Sequence, residues 1–371
     1  MGSLGQDIKK LGFGLMRLPM IGEDVDIEQT KKMVDLFLSK GFTYFDTAYG
    51  YLGGKSEMAI KTALVDRYPR ESYQLATKLP AWAGAKTAEE AQGMLATSLA
   101  RTGAGYFDFY LLHNLGDNRT EAFDRFGIWD FLRRKRDEGV IKHLGFSFHD
   151  KADVLDDLLT RNPDMEFVQL QINYADWESE TIESRACYEV ARAHGLPVVV
   201  MEPIKGGSLV KLPEAAAGVL RAADANAPLA SWALRFAASL PGALTVLSGM
   251  STPEQVRENV AVMRAFEPLT CEEQAAIDHV RAILDGIPTV PCTDCRYCLK
   301  NCPQGVRIPA ALASLNILAL YQDEYRAQEN YDWNASGGPA SLCIGCGACE
   351  GVCPQHIGIV AELARAAALF E

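Results

Sequence analysis

No apolar run in this chain approaches the ~18 residues needed to cross a bilayer. The N-terminus lacks a charged segment followed by an apolar core and a cleavage site. Neither membrane insertion nor export is expected, and a cytoplasmic location is. Basic stretches are missing as well: net charge is −12, and the one cationic run, Arg133, Arg134, Lys135 and Arg136, reads as a solvated helix face. A nucleic-acid partner is therefore not expected. No strand-like run is followed by G-x-G-x-x-G, which weakens any reading as an open doubly wound sheet, and no flavin fingerprint is visible. There is no low-complexity segment. What remains is an ordinary globular composition, 48% hydrophobic and 23% charged. The 371 residues leave room for a barrel-sized domain of about 250 residues and a smaller unit.

Up to about residue 285 the chain repeats one rhythm, a short β-rich apolar run followed by an amphipathic stretch. The runs lie at 11–15, 43–46, 73–78, 107–113, 143–147, 167–173, 197–202 and 244–247. Helix starts are legible between them. Thr87 with Glu90 predicts a capping box, and Thr252–Pro253 with Gln255 combines an N-cap, a first-position proline and a third-position amide. Gly41, Gly139 and Gly195 predict helix ends. Eight strands in strict alternation with helices favour an α/β fold closed as a (β/α)₈ (TIM) barrel over residues 1–285. Gly286–Ile287–Pro288 then breaks the pattern. Residues 286–371 are expected to form a second, mainly helical domain, with a helix at 309–321, a turn at 336–339 and a last amphipathic helix at 359–370.

Eight of the ten cysteines lie in this second part. Cys292, Cys295, Cys298 and Cys302 read C-x2-C-x2-C-x3-C and are closed by Pro303; Cys343, Cys346, Cys349 and Cys353 repeat the spacing and are closed by Pro354. Three close cysteines can wrap one small centre while the fourth swings to another, the pattern of paired [4Fe–4S] clusters that exchange their last ligand. One cluster would take Cys292, Cys295, Cys298 and Cys353, the other Cys343, Cys346, Cys349 and Cys302. Zinc is the rival, but its sites usually show two separated pairs, and a disulfide framework belongs to small secreted chains. This part resembles a bacterial-type two-cluster ferredoxin. Cys187 and Cys271 stand alone in helical stretches and are expected to be inert packing residues.

In a barrel of this kind the chemistry sits at the C-terminal ends of the strands. Three successive runs end there in ionisable residues: Asp46, Lys78 and His113. Tyr51 follows Asp46 in a loop that continues Leu52–Gly53–Gly54–Lys55–Ser56–Glu57. Singly, each has a bland reading as a helix cap, a solvated cation or a structural imidazole. Together, Asp-Thr-Ala-x-x-Tyr, then Lys, then His on successive strands resembles the aldo-keto reductase family. Leu11–Gly12–Phe13–Gly14–Leu15–Met16, Gly145–Phe146–Ser147, Gln169, and Pro253–Glu254 followed by Glu258–Asn259 extend the likeness to about Met263.

The resemblance implies a catalytic tetrad of Asp46, Tyr51, Lys78 and His113. It also implies an oxidoreductase that interconverts a small-molecule carbonyl and alcohol with NAD(P)H. By the same likeness Ser147 and Gln169 bind the nicotinamide carboxamide, Gly14 and Met16 lie along the cofactor, and Glu258 and Asn259 hold the adenine. Gly206 and Gly207 would let a backbone approach the pyrophosphate. Two departures matter. Phe148 stands where many members place Asn, and Gly249, Met250 and Gln255 replace the Lys-Ser and later Arg around a 2′-phosphate, so a preference for NADP is not supported. Tyr49, Tyr174 and Trp177 are candidates for the substrate pocket.

The clusters leave four readings open. They relay electrons in a nicotinamide enzyme, deliver single electrons from an external carrier without nicotinamide, serve a non-catalytic sensor or electron-transfer protein, or act as structural staples. Two four-iron centres predict about eight irons and eight acid-labile sulfides per chain after anaerobic purification. Elemental analysis checks this, and zinc without iron in a fully loaded sample would contradict it. Cys298→Ser is expected to lower the iron count, and Cys187→Ser to leave it unchanged.

Overall fold

The computed structural model describes residue 4, residues 8–116 and residues 119–371. Eight parallel strands close on themselves: β1 (Leu11–Gly14), β2 (Tyr44–Asp46), β3 (Gln74–Leu79), β4 (Phe107–Leu115), β5 (Ile141–Phe148), β6 (Phe167–Gln171), β7 (Val198–Met201) and β8 (Ala243–Gly249). Each pairs with the next in sequence, and β8 returns to β1 with Leu11 opposite Val246. Every apolar run expected to be a strand is one, so the period-two runs and the helical stretches between them sort as the alternation predicts. The helix signals act as expected too. Thr87 accepts from Glu90 N–H, Thr252 and Gln255 form a complete capping box, and Gly41, Gly139 and Gly195 all have positive φ. The Thr87 site differs in one respect: the Glu90 carboxylate turns to Lys86 N–H, one residue upstream of the cap.

Tyr44, Ala76, Phe109, Leu111, Phe167, Val199, Leu244 and Leu247 form one buried cluster, with Leu4 and Ile8 packed against it. β5 contributes the His143 ring, 5.1 Å from that of Phe109. A Cβ on Gly145 would lie 2.4 Å from the Phe167 carbonyl oxygen and 2.8 Å from its ring, so glycine is what lets β5 and β6 pair around that ring.

The cationic run falls in the helix Ile128–Asp137. Arg133 and Arg136 reach Asp164 at 2.8 and 3.2 Å, and Lys135 pairs with Glu138 at 2.6 Å. Three of the four cations are therefore paired with neighbouring carboxylates.

By contact density the chain falls into two compact units that do not follow the chain linearly. One comprises Met1–Pro203 with Ala230–Leu269, the other Ile204–Leu229 with Thr270–Glu371. The second unit therefore holds the helices Glu214–Ala223 and Cys271–Asp285, which pack on each other, as well as the helices Ile308–Tyr321, Glu324–Asn334 and Ile359–Phe370. Its core joins Leu312 and Leu315 to Leu363, Phe370 and Tyr331, with the Tyr331 and Phe370 rings stacked at 5.1 Å. Among the described residues no helix is long and apolar enough to cross a membrane. Cys187 is buried in the helix Ser184–Ala193, and burial pushes its thiol up to about 12. Cys271 corrects the expectation of a packing residue: it opens a helix and is exposed, because its turn faces solvent.

Gly145→Ala is expected to cost ~1–3 kcal/mol by overpacking. Gly93→Ala, in the exposed middle of the helix Ala88–Thr102 with nothing within 4 Å of the added carbon, is expected to gain about 1 kcal/mol. Urea unfolding monitored by circular dichroism checks both signs.

Candidate active site and thiolate centres

Asp46 ends β2, Lys78 is the penultimate residue of β3 and His113 lies near the end of β4, so the strand order brings the three side by side. Lys78 is fully buried and Asp46 is 2% exposed. The Lys78 ammonium donates to Asp46 Oδ1 at 2.5 Å and to the Thr47 carbonyl at 2.7 Å, and lies 5.0 Å from the Tyr51 ring centroid. The Tyr51 ring meets His113 edge-on at 5.9 Å. The four residues read as a constellation in the sequence thus converge.

The loop carrying Tyr51 is anchored at both ends. Thr47 N–H donates to Ala76 O and Tyr49 N–H to Lys78 O, which extends the β2–β3 ladder past Asp46. The Thr47 and Ser56 hydroxyls meet at 2.8 Å, and Ser56 donates to Leu15 O. Glu57, buried completely, accepts from Thr77 Oγ1 at 2.8 Å and pairs with Arg101 at 3.2 Å. Arg101 in turn donates to Tyr49 O and stacks on the Tyr49 ring at 4.4 Å. Arg101 carries no sequence signal, since a cation in the last turn of a helix reads as an ordinary dipole partner.

Burial sets the protonation states. It pushes the Tyr51 phenol above its ordinary value, with the Lys78 charge pulling the other way. It pushes the Lys78 ammonium down, but Asp46 and Tyr51 more than offset this, so the amine ends above its ordinary value and stays charged. His113 is driven well below the usual imidazole value, first by burial and then by the Lys78, His149 and Arg119 charges. A neutral imidazole and a protonated phenol therefore face each other at neutral pH.

Trp82, not singled out in the sequence, belongs to the same site. It follows β3 by three residues, donates its indole N–H to His113 O at 2.8 Å, and its ring lies 6.3 Å from the imidazole while 40% exposed. An aromatic just past a strand's C-terminal end was the available signal. Tyr174 is instead fully buried against Phe236, and Trp177 packs between Phe236 and Tyr188. These two rings fill the packing under the helix Leu229–Ser239.

Ser147 and Gln169 are paired across β5 and β6, and both are almost wholly buried. Gln169 Oε1 is a buried acceptor without a donor, an atom that a ligand N–H would satisfy. Gly14 opens the first loop against Gly249 and Ser248, and Met16 beside it is 43% exposed. Asn259 donates to Ser248 Oγ at 3.0 Å, whereas Glu258 is exposed. Gln255 accepts from the Ser251 and Thr252 amides and so is consumed by the helix cap, and Arg257 pairs with Glu254. The aliphatic part of Arg17 lies along Gly249 at 3.3–3.5 Å from where a Cβ would stand.

In the second unit, Gly206 and Gly207 take φ values of 64° and 104° within Lys205–Val210. The Arg326 guanidinium occupies the space a Gly206 side chain would need. Lys211 and Asp323 add an ion pair at 3.0 Å, so this loop is tied to the helix Glu324–Asn334.

Cysteines of the two motifs approach one another in that unit. Cys302 lines one cavity with Cys343, Cys346 and Cys349, across the sequence gap between the motifs. Cys353 and Cys295 both act electrostatically on Cys292, and burial with Cys292 and Cys295 pushes the Cys298 thiol up to about 11. Among the described residues no three His, Cys, Asp or Glu side chains meet as ligands of a single ion. Asn316 pins Val290, just ahead of Cys292, through two hydrogen bonds of 2.8 Å, and Val306 N–H donates to Cys302 Sγ at 3.4 Å.

Known proteins agree with this architecture. The aldo/keto reductase family model matches residues 10–282, and the 4Fe-4S dicluster domain model matches residues 291–357. "Probable aldo-keto reductase 1" of Glycine max is 31% identical over 155 residues, which span 40% of this chain and 43% of that one. The holo structure of aldo-keto reductase AKR11C1 from Bacillus halodurans is 26% identical with a TM-score of 0.60, covering 75% of this chain and 95% of that one. An aldo/keto reductase from Klebsiella pneumoniae, in complex with NADP and acetate, shares the fold at 23% identity and a TM-score of 0.60, covering 74% of this chain and 92% of that one.

Because its imidazole is depressed well below the usual value, His113 is expected to show no NMR titration midpoint near the ordinary ~6.5. The His113 ring resonances, assigned by comparison with His113→Gln, check this across pH 5.5 to 8. A midpoint near 6.5 would place the ring in water.

Proposed function

The chain belongs to the aldo/keto reductase family over residues 10–282, and from that premise we propose that it interconverts a carbonyl and an alcohol at Asp46, Tyr51, Lys78 and His113. It is an oxidoreductase carrying a 4Fe-4S dicluster domain. The observation that supports the reaction best is the buried Lys78–Asp46 pair beneath the Tyr51 ring.

In the reductive direction a nicotinamide, when bound, would supply hydride. The chain's own residues handle the oxygen. The neutral His113 imidazole offers an N–H to orient it without competing as an acid. Tyr51 gives its hydroxyl proton to that oxygen as negative charge builds there. The phenolate left behind is stabilised by the Lys78 charge and regains a proton from solvent, and Asp46 keeps Lys78 charged and aimed. Oxidation runs the same transfers backward. Ser147 and Gln169 would hold the carboxamide, and Gly14 and Met16 would flank the cofactor. Gln255 is spent on its cap and Arg257 on Glu254, so NADPH is given little advantage over NADH.

The clusters would be held by Cys292, Cys295, Cys298 and Cys353 and by Cys343, Cys346, Cys349 and Cys302, and when bound they supply single electrons. Exposure of Cys295 and Cys346 favours a second reading, in which an external carrier reaches the clusters and feeds the reaction without nicotinamide.

Tyr51→Phe keeps the ring and removes the donor, so turnover is expected to fall ~10²–10⁴-fold with nucleotide affinity retained. Anaerobic assays with NADH alone and with reduced viologen alone separate the two readings. Normal turnover by Tyr51→Phe would contradict the proton-donor assignment, and product formed only with viologen would favour the carrier-fed reading.

A further inference from the structure

Two amide oxygens beside the reacting residues are buried and receive no hydrogen bond: Gln169 Oε1 on β6 and Asn114 Oδ1 near the end of β4. An unmet buried acceptor costs ~1–3 kcal/mol. Both residues neighbour Ser147, Asn114 through its backbone N–H and Gln169 in the strand register, and a ligand N–H would satisfy either oxygen.

Asn114 is held there with care. Its backbone N–H donates to Ser147 Oγ at 2.7 Å, and its carbonyl accepts from Arg119 Nε at 3.1 Å. The next residue, Leu115, pairs with Phe148 across β4 and β5. The φ of 61° at Asn114 is left-handed, a conformation worth of order 1–3 kcal/mol in strain for residues other than glycine, and one that persists where surroundings over-determine it. Phe148, the residue after Ser147, is 2% exposed and packs against Phe146, so it brings no polar atom to this spot.

Ser147 Oγ already accepts from Asn114 N–H, which leaves its own proton free to donate. Gln169 stands directly opposite Ser147 in the β5–β6 register and offers Oε1 as an acceptor. Asn114 offers a second acceptor. One donor and two acceptors are the complement of a primary carboxamide, whose oxygen accepts and whose NH₂ donates twice.

We propose that Asn114 is a cofactor-binding and specificity-determining residue whose Oδ1 accepts one N–H of the nicotinamide carboxamide. Gln169 Oε1 accepts the other, and the Ser147 hydroxyl donates to the carboxamide oxygen. This inference rests on the nicotinamide reading above. It makes the site selective for a carboxamide over a methyl ketone or a carboxylate at the same ring position.

The test compares dissociation constants, read by quenching of protein fluorescence in the anaerobic holoprotein, for NAD⁺ and its 3-acetylpyridine analogue. The analogue keeps the carbonyl and has no N–H. Asn114→Ala is expected to weaken NAD⁺ about tenfold, the equivalent of one ordinary hydrogen bond, and to leave analogue binding unchanged. Asn114→Gly, which relieves the left-handed backbone, is expected to show the same selective loss with unchanged iron content and circular dichroism. Equal NAD⁺ binding by wild type and both variants would overturn the inference while leaving the nicotinamide reading intact, as would equal loss of both nucleotides. Failure of wild type to bind either nucleotide would overturn both.

Discussion

The buried ion pair between Lys78 and Asp46 is the constraint around which this site is organised. Removing two charges from water costs several kcal/mol each, and only close geometry with additional hydrogen bonds offsets it. Here the ammonium has Asp46 Oδ1 at 2.5 Å and the Thr47 carbonyl at 2.7 Å. Both charges sit at the ends of adjacent parallel strands, where the β2–β3 register fixes their separation before any side chain is chosen. Removing either partner would leave the other charge unpaired, a loss of ~3–5 kcal/mol in comparable buried pairs. Such a pair is a poor device for stability, and its placement under the Tyr51 ring gives it another use.

That use is electrostatic. A phenol in a buried site is driven toward its neutral form, and so is an imidazole. Burial therefore makes Tyr51 a proton holder and His113 a neutral hydrogen-bonding group, while the Lys78 charge is what keeps a phenolate tolerable after the proton has left. Arg101, Glu57, Thr47 and Ser56 act one step further out by fixing the loop that presents Tyr51. The Arg101–Glu57 pair joins the helix Ala88–Thr102 to the start of the helix Lys55–Ile60, and Thr77 brings β3 into the same network.

The barrel was legible because strands and helices alternate with clean periodicity, and because the capping residues around Thr87 and Thr252 and the glycines at 41, 139 and 195 punctuate it. Asp46, Lys78 and His113 were legible as strand-end residues. What stayed hidden lies in contacts between elements remote in sequence. Arg101 reaches Tyr49 across 52 positions, and nothing local distinguishes it from a surface cation. Asn114 looks like a turn residue until its backbone is seen bonded to Ser147. The expectation that Tyr174 lines a pocket failed because its burial depends on Phe236, more than sixty residues away. Cys271 failed in the opposite sense, since its helix begins at the surface. The cysteine motifs needed little from the structure, because their spacing already encodes the chemistry; the cavity lined by Cys302 with Cys343, Cys346 and Cys349 supplies the contact across the sequence gap.

The central claim is that the Lys78 charge holds down a phenol that burial pushes up. Its most direct measurement is the titration of Tyr51, followed by NMR with ring-labelled tyrosine in wild type and in Lys78→Met, with Tyr51→Phe used to assign the signal. The wild-type phenol is expected to titrate above the ordinary ~10, and to move higher still in Lys78→Met, where the ammonium is gone and the Asp46 carboxylate remains. A midpoint that stays in place or falls when Lys78 is replaced would contradict the account.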